Sequence, residues 1–259
     1  MTLDDLDDLR RAKALLDHPS FASRVSNLLG APVERGLELL PSNWAAVVAD
    51  ATRAALQKAL DLAVSTLDDR RSGPPSPIFH KLAVAATGAG GGALGLAALP
   101  LELPVSTAVM LRSIADVARS EGEHIRTVEA RLACLEVFAL GGRANSDDAA
   151  ETGYFAVRLA LARAVSEAAE FIAERGIAQE GAPAIVRLIA QIASGFGATV
   201  SEKAAAQAIP IIGAAGGAIV NLLFIDHFQD VARGHFAVRR IERRYGADAT
   251  RAAYEAIDA

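Results

Sequence analysis

The chain has 259 residues, a formal charge of −5, 52% hydrophobic content and a single cysteine, Cys134. That is ample apolar material for a sizeable core. It excludes the dominant basic face with which nucleic-acid binders neutralise phosphates, and it excludes an internal disulfide. Aromatic residues make up 5% and mean hydropathy is +0.26, so the hydrophobicity rests on Ala, Leu, Val and Ile, with 21 Gly besides. Such a mixture favours closely packed helices over strands.

The first residues, MTLDDLDDLRRAK, carry acids where a secretory signal has a basic and then an apolar region. With the lone cysteine, this predicts a protein facing a reducing cytoplasm. Residues 43–67 read as an amphipathic helix after Pro41-Ser42. Asp50, Arg53, Gln57, Asp61, Ser65 and Asp68 form its wet face, and Trp44, Val47, Val48, Ala51, Ala55, Ala59 and Leu62 the opposite stripe. Arg70-Arg-Ser-Gly-Pro-Pro-Ser-Pro77 is the strongest linker signal. It divides the chain into an N-terminal helical extension, 1–72, and a second helical domain, 78–259.

An uncharged run follows, Leu82 to Leu101, broken by glycine and proline into at least two helical pieces, the later one continuing through Met110 to about Ser120. A short helix is predicted from Thr127 to Leu140. A long one begins after Ser146-Asp147-Asp148, with Tyr154, Val157, Leu161, Val165, Ala168 and Ile172 inward and Arg163, Glu167, Glu170 and Glu174 outward. Another runs from Pro183 to about Phe196. A second uncharged run, Ala204 to Ile225, leads into a polar helix reaching Tyr245, and a short helix closes the chain over 248–257. The fold class is all-α: a multi-helix bundle around two buried Ala/Gly-rich apolar hairpins. Asp116-Val-Ala-Arg119 and Asp230-Val-Ala-Arg233 echo one another and suggest pseudo-symmetry.

Both uncharged runs have the length of a membrane span. The first is weak: its six strongly apolar residues contribute roughly −2 to −4 kcal/mol on an insertion scale, against five Gly, a Pro and a Thr. The second is stronger, although Pro210 and Asn221 oppose insertion. The glycine pairs Gly88/Gly92, Gly91/Gly95 and Gly213/Gly217 put small residues on one helix face, which suits close packing in lipid and in a soluble core alike. Buried core helices and a re-entrant membrane hairpin both remain open. Beyond the second run, Arg239, Arg240, Arg243 and Arg244 are candidate contacts to anionic lipid at about 1 kcal/mol per charge; the other reading is a solvated helix face with Glu242 interspersed.

The chemistry-bearing signals are few. Gly88-Ala-Gly90-Gly-Gly-Ala93 matches a dinucleotide fingerprint in letters but lacks the strand before it and the acid about twenty residues on, and no phosphate loop is present. No cofactor is expected. Glu121-x-x-His124 and His227-x-x-Asp230, with Glu102, Asp116 and Glu136, form a candidate metal set of the kind helical bundles use for carboxylate-bridged metals, and hence an alternative reading as a metal-dependent enzyme. The competing account is a salt-bridge ladder Arg112, Asp116, Arg119, Glu123 at helical spacing. Cys134 lies among apolar neighbours and reads as core. Ser106, Ser113, Ser120 and Ser201 sit in no nucleophile elbow, and His18, His80 and His235 have no visible triad partners. No catalytic residue emerges.

The segments Leu99-Pro-Leu-Glu-Leu-Pro104, Met110-Leu-Arg-Ser-Ile-Ala-Asp116-Val-Ala-Arg-Ser-Glu-Gly122, Cys134-Leu-Glu-Val-Phe-Ala-Leu-Gly141 and Ala208-Ile-Pro210-Ile-Ile-Gly213-Ala-Ala-Gly-Gly217-Ala-Ile-Val-Asn221 occur in an order and spacing that resembles the EcsC family, over roughly residues 78–245. The family is named for a component encoded beside a bacterial ABC transporter. The resemblance implies an α-helical protein at the inner face of the membrane, with no established reaction and no catalytic residues to carry over. Taken together, the expectation is a non-enzymatic, membrane-associated accessory whose partners are membrane lipid or a membrane protein such as an ABC transporter, not nucleic acid. A purely soluble structural subunit is the third reading, and the sequence gives no oligomeric state.

Overall fold

The structure, a computed structural model, describes residues 1–17, 21–30, 32–67, 99–142, 153–176, 182–209 and 213–257. Among them are ten helices and no strand: α1 (Leu3–Leu16), α2 (Phe21–Leu29), α3 (Glu34–Glu38), α4 (Trp44–Thr66), α5 (Leu99–Ser120), α6 (Val128–Leu140), α7 (Tyr154–Arg175), α8 (Pro183–Ala208), α9 (Gly213–Tyr245) and α10 (Ala247–Glu255). The protein is an all-α multi-helix bundle. The linker at 70–77 and the run 82–98, with Gly88, Gly92 and Gly95, lie outside the described residues.

Local chemistry starts and stops these helices. The Thr2 hydroxyl accepts from Asp5 N at 3.2 Å and Thr127 from Ala130 N at 3.2 Å, each satisfying an amide that the first turn leaves without a partner. α5 ends where Gly122 turns to φ +81°, and α9 ends where Gly246 turns to φ +87°, conformations that side chains with a Cβ rarely adopt. The last turn of α4 is capped from a distance: Arg131 of α6 donates to the carbonyls of Val64 and Leu67, each at 2.8 Å.

Contacts between helices fix their directions. Asn221 meets Glu102, Gln229 meets Ser113 and Arg240 meets Glu121, a nearly constant sequence offset, so α5 and α9 lie side by side and parallel. The two echo segments thus occupy neighbouring helices, and each forms the same local pair, Asp116 with Arg119 and Asp230 with Arg233. α1 runs antiparallel to α9, with Asp5 on Arg244, Asp8 on Arg240 and Leu16 against Gly234. α4 packs on both α5 and α8, which widens its buried face beyond the expected stripe to include Thr52, Leu56, Leu60 and Ala63. The described helices of the first 67 residues therefore share one core with those that follow.

At the centre sits α6, buried on all sides from Leu132 to Leu140. The few aromatics gather around it: Phe138 contacts Phe196 and Phe228 at ring-centroid distances of 4.9 and 5.4 Å, and Phe224 contacts Phe228 at 5.1 Å. Edge and tilted packing of this kind adds about 0.5–1.5 kcal/mol per pair beyond area burial.

Two expectations change. The run 204–225 is not one helical unit: α8 extends to Ala208, well beyond Phe196, and Ile209 is extended at ψ 117°, as the residue before a proline is required to be. Pro100 and Pro104 do not interrupt the helix before Ser120. Both fall inside α5. Among the described residues, glycines allow close approach at Gly36, Gly141, Gly142, Gly195 and Gly234. A Cβ on Gly142 would overlap the Gly195 carbonyl, and one on Gly36 the Ala205 carbonyl.

Two glycines of α8 test this. A Cβ on Gly195 would stand 2.6 Å from the Ala139 carbonyl oxygen, whereas one on Gly197 meets nothing within 4 Å. Gly195→Ala is expected to cost about 1–3 kcal/mol by overpacking, and Gly197→Ala to gain about 0.5–1 kcal/mol by restricting the unfolded chain, read as opposite shifts of the urea midpoint.

Candidate functional site

One end of the bundle is built on a buried ion pair. Lys203 of α8, fully buried, donates to Glu102 of α5 at 2.7 Å, and the Asn221 side-chain amide of α9 donates to the same carboxylate oxygen at 2.7 Å. The ammonium also lies 4.9 Å from the centroid of the Phe224 ring. Burial pushes the Lys203 ammonium below its ordinary value, and Glu102 opposes that. Three helices thus meet at one carboxylate, which fixes their register at that end.

Around this cluster large apolar side chains face outward. Leu101 and Val105, flanking Glu102, are 80% and 50% exposed; Ile219, two residues before Asn221, is exposed, as are Leu37 and Leu39 beside Gly36, which rests on Ala205. α5 and α9 begin here, each within one of the two uncharged runs of the sequence. Among the described residues one helix, α8, is long and apolar enough to cross a membrane by length and composition, and 39% of its most apolar stretch is buried.

The opposite end is ionic. Arg239 donates through Nε to Glu123 at 2.8 Å, and Arg243 pairs with the same carboxylate. Arg240 bridges Glu121 at 2.8 Å and Asp8 at 2.6 Å. Arg244 donates to both oxygens of Asp5 at 2.9 Å, and the Tyr245 hydroxyl to Asp5 Oδ2 at 2.7 Å. Each of the four arginines proposed from sequence as lipid contacts pairs with an acid of α1 or of the α5–α6 turn, while Arg243 and Arg244 remain substantially exposed. Hydrogen bonds from Thr2 and Tyr245, with Arg244 adjacent, hold the Asp5 carboxyl down at about 2. Burial pulls Asp8 and Glu123 upward, but Arg240 beside the first and Arg239 and Arg243 beside the second hold both below their ordinary values.

The candidate metal ligands do not assemble, and Glu121 of the first pair is held by Arg240. Glu102 is held by Lys203, Asp116 pairs with Arg119, His124 is exposed in the turn after α5, His227 Nε2 donates to the Gly141 carbonyl at 2.6 Å, and Asp230 is paired with Arg24 and Arg233. Glu136 lines a separate cleft. Among the described residues no three His, Cys, Asp or Glu side chains are grouped as a metal would need. The helical spacing failed because Gly122 ends α5 before Glu123 and His124. For the same reason Glu123 leaves the expected ladder and joins the arginines of α9. Cys134 is core, its thiol pushed up to about 12 by burial. His235 is bonded to the Tyr154 hydroxyl at 2.9 Å and kept neutral by burial. His18 and His80 lie outside the described residues. Gly213 opens α9, and Gly217 is buried.

Two stability measurements follow. Lys203→Met strands Glu102 in the interior and is expected to cost about 3–5 kcal/mol; the double variant Lys203→Met/Glu102→Met recovers most of the loss, since the pair is then replaced by packing. Asp5, lowered from 3.8 to about 2 on folding, contributes stability that is complete above the unfolded value and is lost as pH falls towards the folded one. Asp5→Asn is accordingly expected to flatten the fall of the urea midpoint between these two values, while lowering the midpoint at neutral pH.

No curated protein and no solved structure matches the chain. The family model described as the EcsC protein family matches residues 5–241, from the α1 acids through the arginines of α9. The match takes in α1 to α4 as well as the segments on which the resemblance was read, and the chain belongs to the EcsC family.

Proposed function

We propose that the chain is a non-enzymatic, membrane-associated accessory protein that binds the inner face of the cell membrane through its apolar end. The observation that carries this reading is the gathering of Leu37, Leu39, Leu101, Val105 and Ile219, all exposed, at the end where α5 and α9 begin within the uncharged runs. Scattered single apolar residues on a surface need no explanation, but a concentration at one end of a bundle does. The apolar α8, which reaches that end, adds to it. Lipid would be engaged by apolar burial in the interface, with the arginines of α9 left to their internal carboxylates. A membrane protein, such as the transporter that the family's name brings to mind, would meet the accessory from the same side.

Flotation with liposomes tests this. The wild type is expected to float with neutral as well as anionic vesicles and to stay bound at high salt, because screening weakens exposed charge contacts and leaves apolar burial intact. The triple variant Leu101→Gln/Val105→Gln/Ile219→Gln, altered only at exposed positions, is expected to remain in the soluble fraction. Flotation that needs anionic lipid and disappears with salt would instead return the contact to the arginines.

A further inference from the structure

A cleft of about 680 Å³, within the range of small-molecule sites, opens between α6, α7, α9 and the start of α10, on the flank of the bundle and away from its apolar end. One wall is apolar: Phe155, Leu159, Ala162 and Val165 of α7. Into it reaches Glu136, the single charged residue in the buried stretch of α6, which is 8% exposed and makes neither a hydrogen bond nor an ion pair. The residue is nine-tenths withdrawn from water, and its carboxylate, which lines the cleft, receives no donor from the described residues.

The remaining charges say what kind of donor is missing. Three arginines line the cleft, and each is already engaged: Arg158 with Glu242 at 2.7 and 3.0 Å, Arg239 with Glu123 at 2.8 Å, and Arg251 with Glu255 at 2.7 Å. Four lining carboxylates have no ion pair: Glu136 and, at the exposed rim, Glu129, Glu170 and Asp248. The uncompensated charge of the cleft is therefore negative. Burial pushes the Glu136 carboxyl above its ordinary value, and Arg239 and Arg158 oppose that only in part, so an ionised Glu136 gains from a cationic N–H donor placed against it.

We propose that this cleft binds a small primary amine with an apolar body, its ammonium donating to the Glu136 carboxylate and its carbon chain lying along Phe155, Leu159 and Val165. A quaternary ammonium has no N–H to offer Glu136, and a carboxylate ligand would meet the surplus of like charge. The site is independent of the membrane reading, since it uses none of the exposed apolar end.

Titration calorimetry on the full chain, without vesicles, compares n-hexylamine with n-hexanoate and 1-hexanol, which share its apolar length. The amine is expected to bind at one site and at least about tenfold more tightly than either control. Glu136→Gln, which keeps the shape and removes the charge, is expected to bring the amine down to the level of the alcohol. Ala162→Trp, placed on the exposed wall so that folding is unaffected, fills the cleft and is expected to abolish binding. Failure of hexylamine to bind, equal binding of hexanoate, or unchanged amine affinity in either variant would overturn the assignment.

Discussion

Four guanidinium groups at the end of α9 have to be matched by carboxylates, and much of the architecture at that end is the solution to this requirement. Arg239, Arg240, Arg243 and Arg244 all fall within two turns; Glu242 among them is held by Arg158, and their acids come from elsewhere in the chain. α1 supplies Asp5 and Asp8, and the turn after α5 supplies Glu121 and Glu123. The shared anchor sets α1 antiparallel to α9 and holds the C-terminal end of α5 alongside it. Bidentate and shared contacts of this kind fix geometry more than they add stability, because several of the arginines remain partly exposed.

The other end of the bundle uses the opposite strategy. There a single ion pair, Lys203 with Glu102, is drawn fully inside and completed by Asn221, so that α5, α8 and α9 are pinned by one carboxylate beneath a surface that carries outward-facing leucine, valine and isoleucine. A buried pair contributes little net stability compared with packed apolar side chains, but breaking it is expensive, which makes it a device for register. The bundle is thus polarised along its length: charge is satisfied internally at one end, and apolar surface is left uncovered by the described residues at the other. The proposed membrane contact follows from that polarity, and the proposed amine site from a separate imbalance on the flank, where Glu136 is the buried acid of α6 that lines the cleft without an ion pair.

The helical class and most helix positions are legible in the amino-acid order alone, because periodicity is a local property. The inward faces of α4 and α7, the helix from about Thr127 to Leu140 and the stop near Tyr245 are each written in a few neighbouring residues. The amino-acid order also determined that Cys134 is core and that the chain belongs with the EcsC family, since the order of apolar and glycine-rich segments survives without knowledge of contacts.

Only the tertiary structure decided what the charges do. Nothing local separates an arginine facing lipid from one facing Asp5, which lies more than two hundred residues away in the chain, and helical spacing alone grouped Glu102, Asp116, His124, Glu136, His227 and Asp230, which the fold distributes among different partners. The close approach of Gly142 to Gly195 was equally hidden, because no four-residue spacing marks it; it arises where two helices cross. Periodic burial can be read along one helix, whereas electrostatic pairing and backbone contact depend on which helices meet, and that is settled by packing.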